Sequence, residues 1–223
     1  MNAIAQQSAL ATTQIPHRPL LRIAIVGPAG HGKSALIDRL LSETDNLADN
    51  PVGRGSAADD RDMPVEWPLH TPSRDFVLID AQAQAQLLRD TIASGAAQAD
   101  AAVLVLDAAE WGHDRPRFYG LVLQLLGVRQ VIVAVNEMDR VAYDAGRFRE
   151  IETETRKDLE SFGLAAIDVI PVSARDGDGI TEHTYTAEWY RPTLLEALDR
   201  ISPARLTREP RHSAKAASRL DEH

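Results

Sequence analysis

The sequence predicts a doubly wound α/β fold, a mostly parallel sheet with helices on both faces. Three observations carry that expectation: short uninterrupted apolar runs, segments of helical period between them, and a glycine-rich loop where the period first changes. A run that is apolar at every position needs cover on both faces, which is the condition of a parallel strand between two helical layers.

Taken in order, Leu21-Arg22-Ile23-Ala24-Ile25-Val26 is rich in β-branched residues and stops at Gly27, so it reads as a buried strand entering a turn. From Lys33 onward Leu36, Ile37, Leu40 and Leu41 recur at helical spacing. Between Glu43 and Arg74 the chain is polar, with Asp45, Asn46, Pro51, Gly53, Gly55, Asp59 and Asp60. Only Met63–Leu69 has strand character there, and the rest is expected to be a mobile loop. The remaining expected strands are Phe76–Ile79, Ala101–Leu106, Val131–Val135 and Asp168–Val172. The helices between and after them are expected over Ala85–Ala97, Arg115–Leu126, Gly146–Phe162 and Thr193–Ile201.

A chain of 223 residues supports one domain of this kind with loose ends. The expected division is a flexible arm over 1–19, a domain over 20–202 and a basic tail over 203–223 carrying Arg205, Arg208, Arg211, Lys215 and Arg219. The tail reads as solvated, with docking to an acidic partner as the alternative. With no cysteine, disulfides, thiolate nucleophiles and cysteine-held metal sites are excluded, which fits a reducing cytoplasm. Lys and Arg number 24 against 33 Asp and Glu, a net charge of -9, so neither nucleic acid nor an anionic membrane is the expected partner. The opening residues lack a basic segment before an apolar core, so no signal peptide is expected.

Gly27-Pro28-Ala29-Gly30-His31-Gly32-Lys33-Ser34 satisfies G-x-x-x-x-G-K-[ST] between an expected strand and an expected helix, which is the context a phosphate-binding P-loop requires. Glycines let backbone N–H groups turn inward around phosphate oxygens, Lys33 reaches the β/γ-phosphates, and Ser34 offers a hydroxyl to Mg²⁺. Gly27, Gly30, His31, Gly32, Lys33, Ser34 and Ala35 are therefore the phosphate-side candidates, and the fold narrows to a P-loop NTPase. A surface glycine turn is the bland alternative. The cradle by itself does not separate an ATPase or kinase from a GTPase.

Asn136-Glu137-Met138-Asp139 follows an expected strand and resembles the N-K-x-D guanine-recognition motif of GTPases. A carboxylate at Asp139 can accept hydrogen bonds from guanine N1 and N2, a donor pair that adenine lacks, while Asn136 fixes the loop and contacts the base edge. Pro171-Val172-Ser173-Ala174 resembles the family's S-A loop, so Ser173, Ala174 and Arg175 join the base-side candidates. His31-Gly32-Lys33-Ser34, Thr71-Pro72-Ser73-Arg74 and Gly95-Ala96-Ala97-Gln98-Ala99-Asp100 look like translation GTPases of the elongation factor Tu type. Leu20-Leu21-Arg22, Leu40-Leu41, Gly177-Asp178 and the ending Trp189-Tyr190-Arg191-Pro192-Thr193-Leu194-Leu195-Glu196 look still more like the GTPase subunit of bacterial sulfate adenylyltransferase. The resemblance implies GTP or GDP with Mg²⁺ held by Ser34 and Asp80. It also implies a protein partner, adenylyltransferase-like or otherwise, and β-barrel domains that this sequence does not contain.

Three departures from the pattern bear on activity. The family's D-x-P-G-H segment is Asp80-Ala81-Gln82-Ala83-Gln84 here, so only the aspartate is kept and Ala83 lacks the freedom of glycine. Gln84, or Gln86 in a shifted register, is the candidate for orienting water beside the catalytic candidate Lys33. The γ-phosphate-sensing segment has its nearest counterpart in Arg54-Gly55-Ser56-Ala57, with alanine where the threonine ligand belongs. Glu137 stands where the motif has lysine, and it brings negative charge toward an anionic ligand. Weak or absent GTP hydrolysis is expected. The alternatives are a pseudo-GTPase that scaffolds a protein partner and a P-loop kinase or ATPase. His113 and His183 stand alone without metal-ligand spacing, Asp107 and Glu110 read as solvated strand-end caps, and Trp111 reads as packing.

Overall fold

A computed structural model describes residues 20–44, 66–80, 99–112, 117–125, 127–183 and 192–202. Its elements in chain order are β1 (Leu20–Val26), α1 (Lys33–Glu43), β2 (Glu66–His70), β3 (Asp75–Asp80), β4 (Ala101–Asp107) and α2 (Arg117–Leu125). They continue with β5 (Gln130–Asn136), a 3₁₀ turn (Met138–Val141), α3 (Ala145–Ser161), β6 (Ala165–Pro171) and α4 (Leu194–Asp199). The arm, the tail, the helix expected over Ala85–Ala97, Arg54–Ala57, Gln84, His113 and Trp189–Arg191 lie outside the described residues.

The six strands form one sheet in the order β2-β3-β1-β4-β5-β6. All neighbours run parallel except β2 and β3, which pair antiparallel across the turn Thr71–Arg74. β2 is an edge strand, and Pro68 is tolerated there because its missing donor removes no interior ladder bond. The apolar runs resolve into period two. Leu21, Ile23 and Ile25 of β1 face one core with Val103 and Val105 of β4 and Ile132 and Ala134 of β5. Ala24, Val26, Leu104, Leu106, Val133 and Val135 face the other core. Helices α1 and α4 cover the first through Leu36, Leu40, Leu194 and Leu198. Helices α2 and α3 cover the second through Val122, Leu123, Phe148 and Ile151, and Trp111 packs there.

Local caps fix where helices begin. Asp144 accepts from the N–H groups of Gly146 at 2.6 Å and Arg147 at 3.0 Å to start α3. Thr193 and Glu196 form a reciprocal capping box at α4. The end of the described chain is pinned beneath the sheet: the Gln130 side-chain amide donates to Ser202 O at 2.7 Å and accepts from Ser202 N at 3.1 Å.

Candidate functional site

The sequence-predicted site residues among the described ones sit at the C-terminal ends of parallel strands, in the loops that follow them or on the first turn of α1, where open α/β sheets place their ligands. After β1 the chain turns sharply, and Gly27 has φ 146°; a Cβ there would come within 2.3 Å of Val105 O. Gly30 also has a positive φ, of 85°, with open space where a Cβ would stand, so only backbone conformation demands glycine at that position. Gly32 begins α1 at φ 83° with neither a side-chain cap nor an acidic residue in the first turn. The first N–H groups of α1 therefore meet no competing carboxylate from their own helix.

Lys33 is buried, and its Nζ donates to the loop's own carbonyls, Gly27 O at 2.9 Å and Pro28 O at 2.7 Å. Burial pushes its pKa below the ordinary lysine value, and the Asp80 carboxylate at the end of β3 partly offsets that. Ser34 and Ala35 are exposed on the first turn of α1, while Asp80 is buried. Among the described residues no cluster of three metal-ligating side chains exists. A hydroxyl and a carboxylate at this place nevertheless fit Mg²⁺, which commonly takes one or two side chains and completes its shell with phosphate and water.

The loops are joined by Asn136, which is fully buried at the end of β5. Its Nδ2 donates to His31 O at 3.0 Å, and its Oδ1 accepts from Ala174 N at 2.9 Å. Gly32 has to be glycine partly for this reason, since a Cβ would meet Asn136 Nδ2 at 2.2 Å. These two bonds are the loop-fixing half of the role expected of Asn136.

Asp139 lies in the 3₁₀ turn, and both of its oxygens are held. Ser173 Oγ donates to Oδ1 at 2.8 Å, and the Arg175 guanidinium lies 2.8 Å from Oδ2. Glu137 takes the left-handed conformation at φ 60°, and its Oε1 lies 3.5 Å from where a Gly32 Cβ would stand. Burial pushes the Glu137 pKa above the ordinary carboxylate value, the Asp107 and Asp139 charges push it further, and Arg140 and Arg175 pull it back.

One expectation needs correction. Asp107 is not a solvated cap: it is 1% exposed, accepts from Ala109 N at 2.7 Å and Glu110 N at 3.2 Å through Oδ1, and pairs with Arg140 at 3.0 Å through Oδ2. A capping carboxylate at the sheet's interior end is buried by the loops around it and then needs a cation. His183 Nε2 lies 3.6 Å from Glu196 Oε1, and among the described residues no third metal-ligating side chain joins them.

Sequence reasoning also missed two braces. The Asp107 N–H donates to Nδ1 of buried His31 at 2.9 Å, which ties the loop after β1 to the end of β4. Arg39 of α1 donates to Ala174 O at 3.1 Å and to Arg175 O. Both join residues far apart in the chain, and no local pattern announces them.

Comparison with known proteins places this geometry. The family described as the elongation factor Tu GTP-binding domain matches residues 18–204. Elongation factor 1-alpha of Methanopyrus kandleri is 34% identical over 200 residues, 82% of this chain and 47% of that protein. The Thermococcus sibiricus elongation factor 1-alpha is 32% identical, over 86% of this chain and 50% of its own length. The chain thus spans about half the length of these relatives. Among solved structures, Sup35 complexed with GMPPNP is similar with a TM-score of 0.63 at 25% identity, covering 83% of this chain and 46% of that one. The Saccharomyces cerevisiae Ski7 GTPase-like domain, bound to GDP and inorganic phosphate, shares the fold at a TM-score of 0.60 and 21% identity, covering 82% of this chain and 49% of its own.

Proposed function

The chain belongs to the elongation factor Tu GTP-binding domain family, and from that premise we propose that it binds GTP and GDP at the C-terminal edge of its sheet and hydrolyses GTP weakly or not at all. The observation that carries the reading is the Asn136 brace, which holds the phosphate loop at His31 O and the base loop at Ala174 N from one side chain. One ligand with a phosphate end and a base end is the object that such a spacing serves.

In this reading Gly27, Gly30, His31, Gly32, Lys33, Ser34 and Ala35 surround the phosphates. Asp139 receives the guanine N1 and N2 donors, and Ser173, Ala174 and Arg175 close the far side of the base. Lys33 Nζ exchanges its two loop carbonyls for phosphate oxygens, so part of its binding energy replaces hydrogen bonds already made. Ser34 and Asp80 would hold Mg²⁺, which when bound neutralises phosphate charge. Weak turnover is supported by the sequence at the two places where relatives sense and attack the γ-phosphate, Ala57 and Ala83. Gln84 is the proposed water-orienting residue if any turnover remains.

The narrower reading places the domain with the GTPase subunit of sulfate adenylyltransferase, supported by Gly177-Asp178 and the segment Pro192–Glu196. A cytoplasmic setting and a protein partner of the adenylyltransferase type accompany it. Among the described residues no helix is long and apolar enough to cross a membrane. The second reading, a pseudo-GTPase that uses this fold to dock a protein, is favoured by the same Ala57 and Ala83.

Titration calorimetry with GDP, and with a non-hydrolysable GTP analogue plus Mg²⁺, tests the proposal against Lys33→Ala. Binding of both nucleotides that is abolished in the variant, with phosphate release no faster than from Asp80→Ala, is the expected result. Binding of ATP in preference to GTP, or of neither, overturns it.

A further inference from the structure

We propose that Arg175 is the positioning residue for base recognition in this chain: its guanidinium sets the orientation of the Asp139 carboxylate and supplies the positive charge that Glu137 denies to the site. The inference rests on the guanine-nucleotide reading above and adds a residue whose side chain decides specificity.

Three observations lead here. First, the residues flanking Asp139 reverse a charge: Glu137 carries a carboxylate where the guanine-recognition pattern has a lysine. Two acidic side chains, separated only by Met138, then share one turn, and Asp107 adds a third carboxylate nearby. Arg140 is already engaged with Asp107 at 3.0 Å. The cation left to face Asp139 is Arg175, whose guanidinium stands 2.8 Å from Oδ2.

Second, the backbone that carries Arg175 is fixed on both sides. Ala174 N donates to Asn136, and the carbonyls of Ala174 and Arg175 both accept from Arg39 of α1. Asp176 adds a second carboxylate partner at 3.0 Å from Arg175 Nε, and Asp176 N in turn donates to Ser173 Oγ at 3.2 Å. The exposed guanidinium is therefore held between Asp139 and Asp176 rather than projecting freely. The guanidinium fork closes on Asp176 through Nε at 3.0 Å and Nη2 at 3.2 Å, which sets where Nη2 stands against Asp139 Oδ2; a single ammonium does not reproduce that fixed pair of contacts.

Third, the two oxygens of Asp139 have different holders. Ser173 Oγ donates to Oδ1 at 2.8 Å, and Arg175 meets Oδ2. Each carboxylate oxygen keeps a further lone pair for a ligand. With both oxygens anchored, the plane of the carboxylate is set, and a base offering two adjacent N–H donors needs a carboxylate of set plane. Without Arg175, Oδ1 stays anchored while Oδ2 rotates about it.

The test compares GDP with inosine diphosphate, which lacks the 2-amino donor, by calorimetry on the full chain and on Arg175→Leu, Arg175→Lys, Glu137→Gln and the Arg175→Leu/Glu137→Gln pair. Arg175→Leu is expected to weaken GDP about fivefold, within the range of one exposed charge pair. It should also narrow the preference for GDP over inosine diphosphate, and Arg175→Lys should recover affinity better than preference. In the Glu137→Gln background the GDP loss should shrink to about twofold or less. Thermal midpoints verify that each variant is folded. An unchanged preference in Arg175→Leu, or losses that simply multiply in the double variant, overturns the inference while the nucleotide reading stands. Failure of the unaltered chain to bind either diphosphate overturns both.

Discussion

Gly32 and Asn136 are fitted to each other so closely that any Cβ on Gly32 would stand 2.2 Å from Asn136 Nδ2. The contact joins the phosphate loop to the end of β5, 104 positions later in the sequence.

Gly32→Ala should therefore fail twice. The left-handed φ of 83° costs an alanine about 1–2 kcal/mol, and the methyl group displaces the Asn136 amide from His31 O. Nucleotide affinity should fall at least about tenfold, with the melting temperature reduced; calorimetry and thermal unfolding read the two effects.

Asn136→Ala removes both bonds of the brace, the one to His31 O and the one from Ala174 N. At about 0.5–1.5 kcal/mol for each hydrogen bond lost, a loss of about 1–3 kcal/mol in stability is expected. Urea unfolding checks the magnitude, and Asn136→Asp separates the halves, since it keeps the acceptor for Ala174 N and removes the donor to His31 O.

Glu137 gives the site a pH dependence whose sign can be worked out. Its pKa in the folded chain is raised, first by burial and then by Asp107 and Asp139. The stability it contributes is thus fully present below the ordinary carboxylate pKa and is lost as pH rises through the raised value. GDP, an anion, should bind more tightly as pH falls through that window. Glu137→Gln should bind more tightly than the unaltered chain at pH 7, with the difference closing toward acid; affinities measured across mildly acidic to neutral pH check this.

Thr155 offers a prediction away from the site. Its Oγ1 lies in the buried face of α3 without a hydrogen-bond partner. Thr155→Val keeps the shape and deletes the unsatisfied hydroxyl, so stability should rise by about 1 kcal/mol. In a chain of this size that is about 2–4 °C in thermal midpoint, with nucleotide affinity unchanged.

The sequence made the layers legible because β1, β4 and β5 are apolar at nearly every position and each is followed by helical spacing. It was less legible at the edges. β6 begins at Ala165, three residues before the expected start, because its first half is only partly buried and so shows no continuous apolar run. β2 is described over Glu66–His70 and contains Pro68, so its identity depends on pairing with β3 rather than on its composition. The site divides in the same way. The phosphate loop, Asn136 and Asp139 announce themselves by spacing, since a turn that approaches a ligand restricts which residues fit. The braces from Arg39, Asp107 and Arg140 join distant positions through ordinary charged residues, which on their own helix or turn look like any solvated side chain.

The Gln130 clasp on Ser202 has a mechanical consequence. Gln130 opens β5 and Asn136 closes it, so six residue steps of about 3.3 Å separate the clasp from the brace. A pull applied to the chain at Ser202 enters the foot of a central strand held on both sides by parallel neighbours, and those ladders are loaded in shear along their whole length. The strand is a stiff rod under such tension, and its far end carries the side chain that keeps the two ligand loops together. Traction on the C-terminal side thus has a path to the two braced loops through one strand, beside the covalent path into α4.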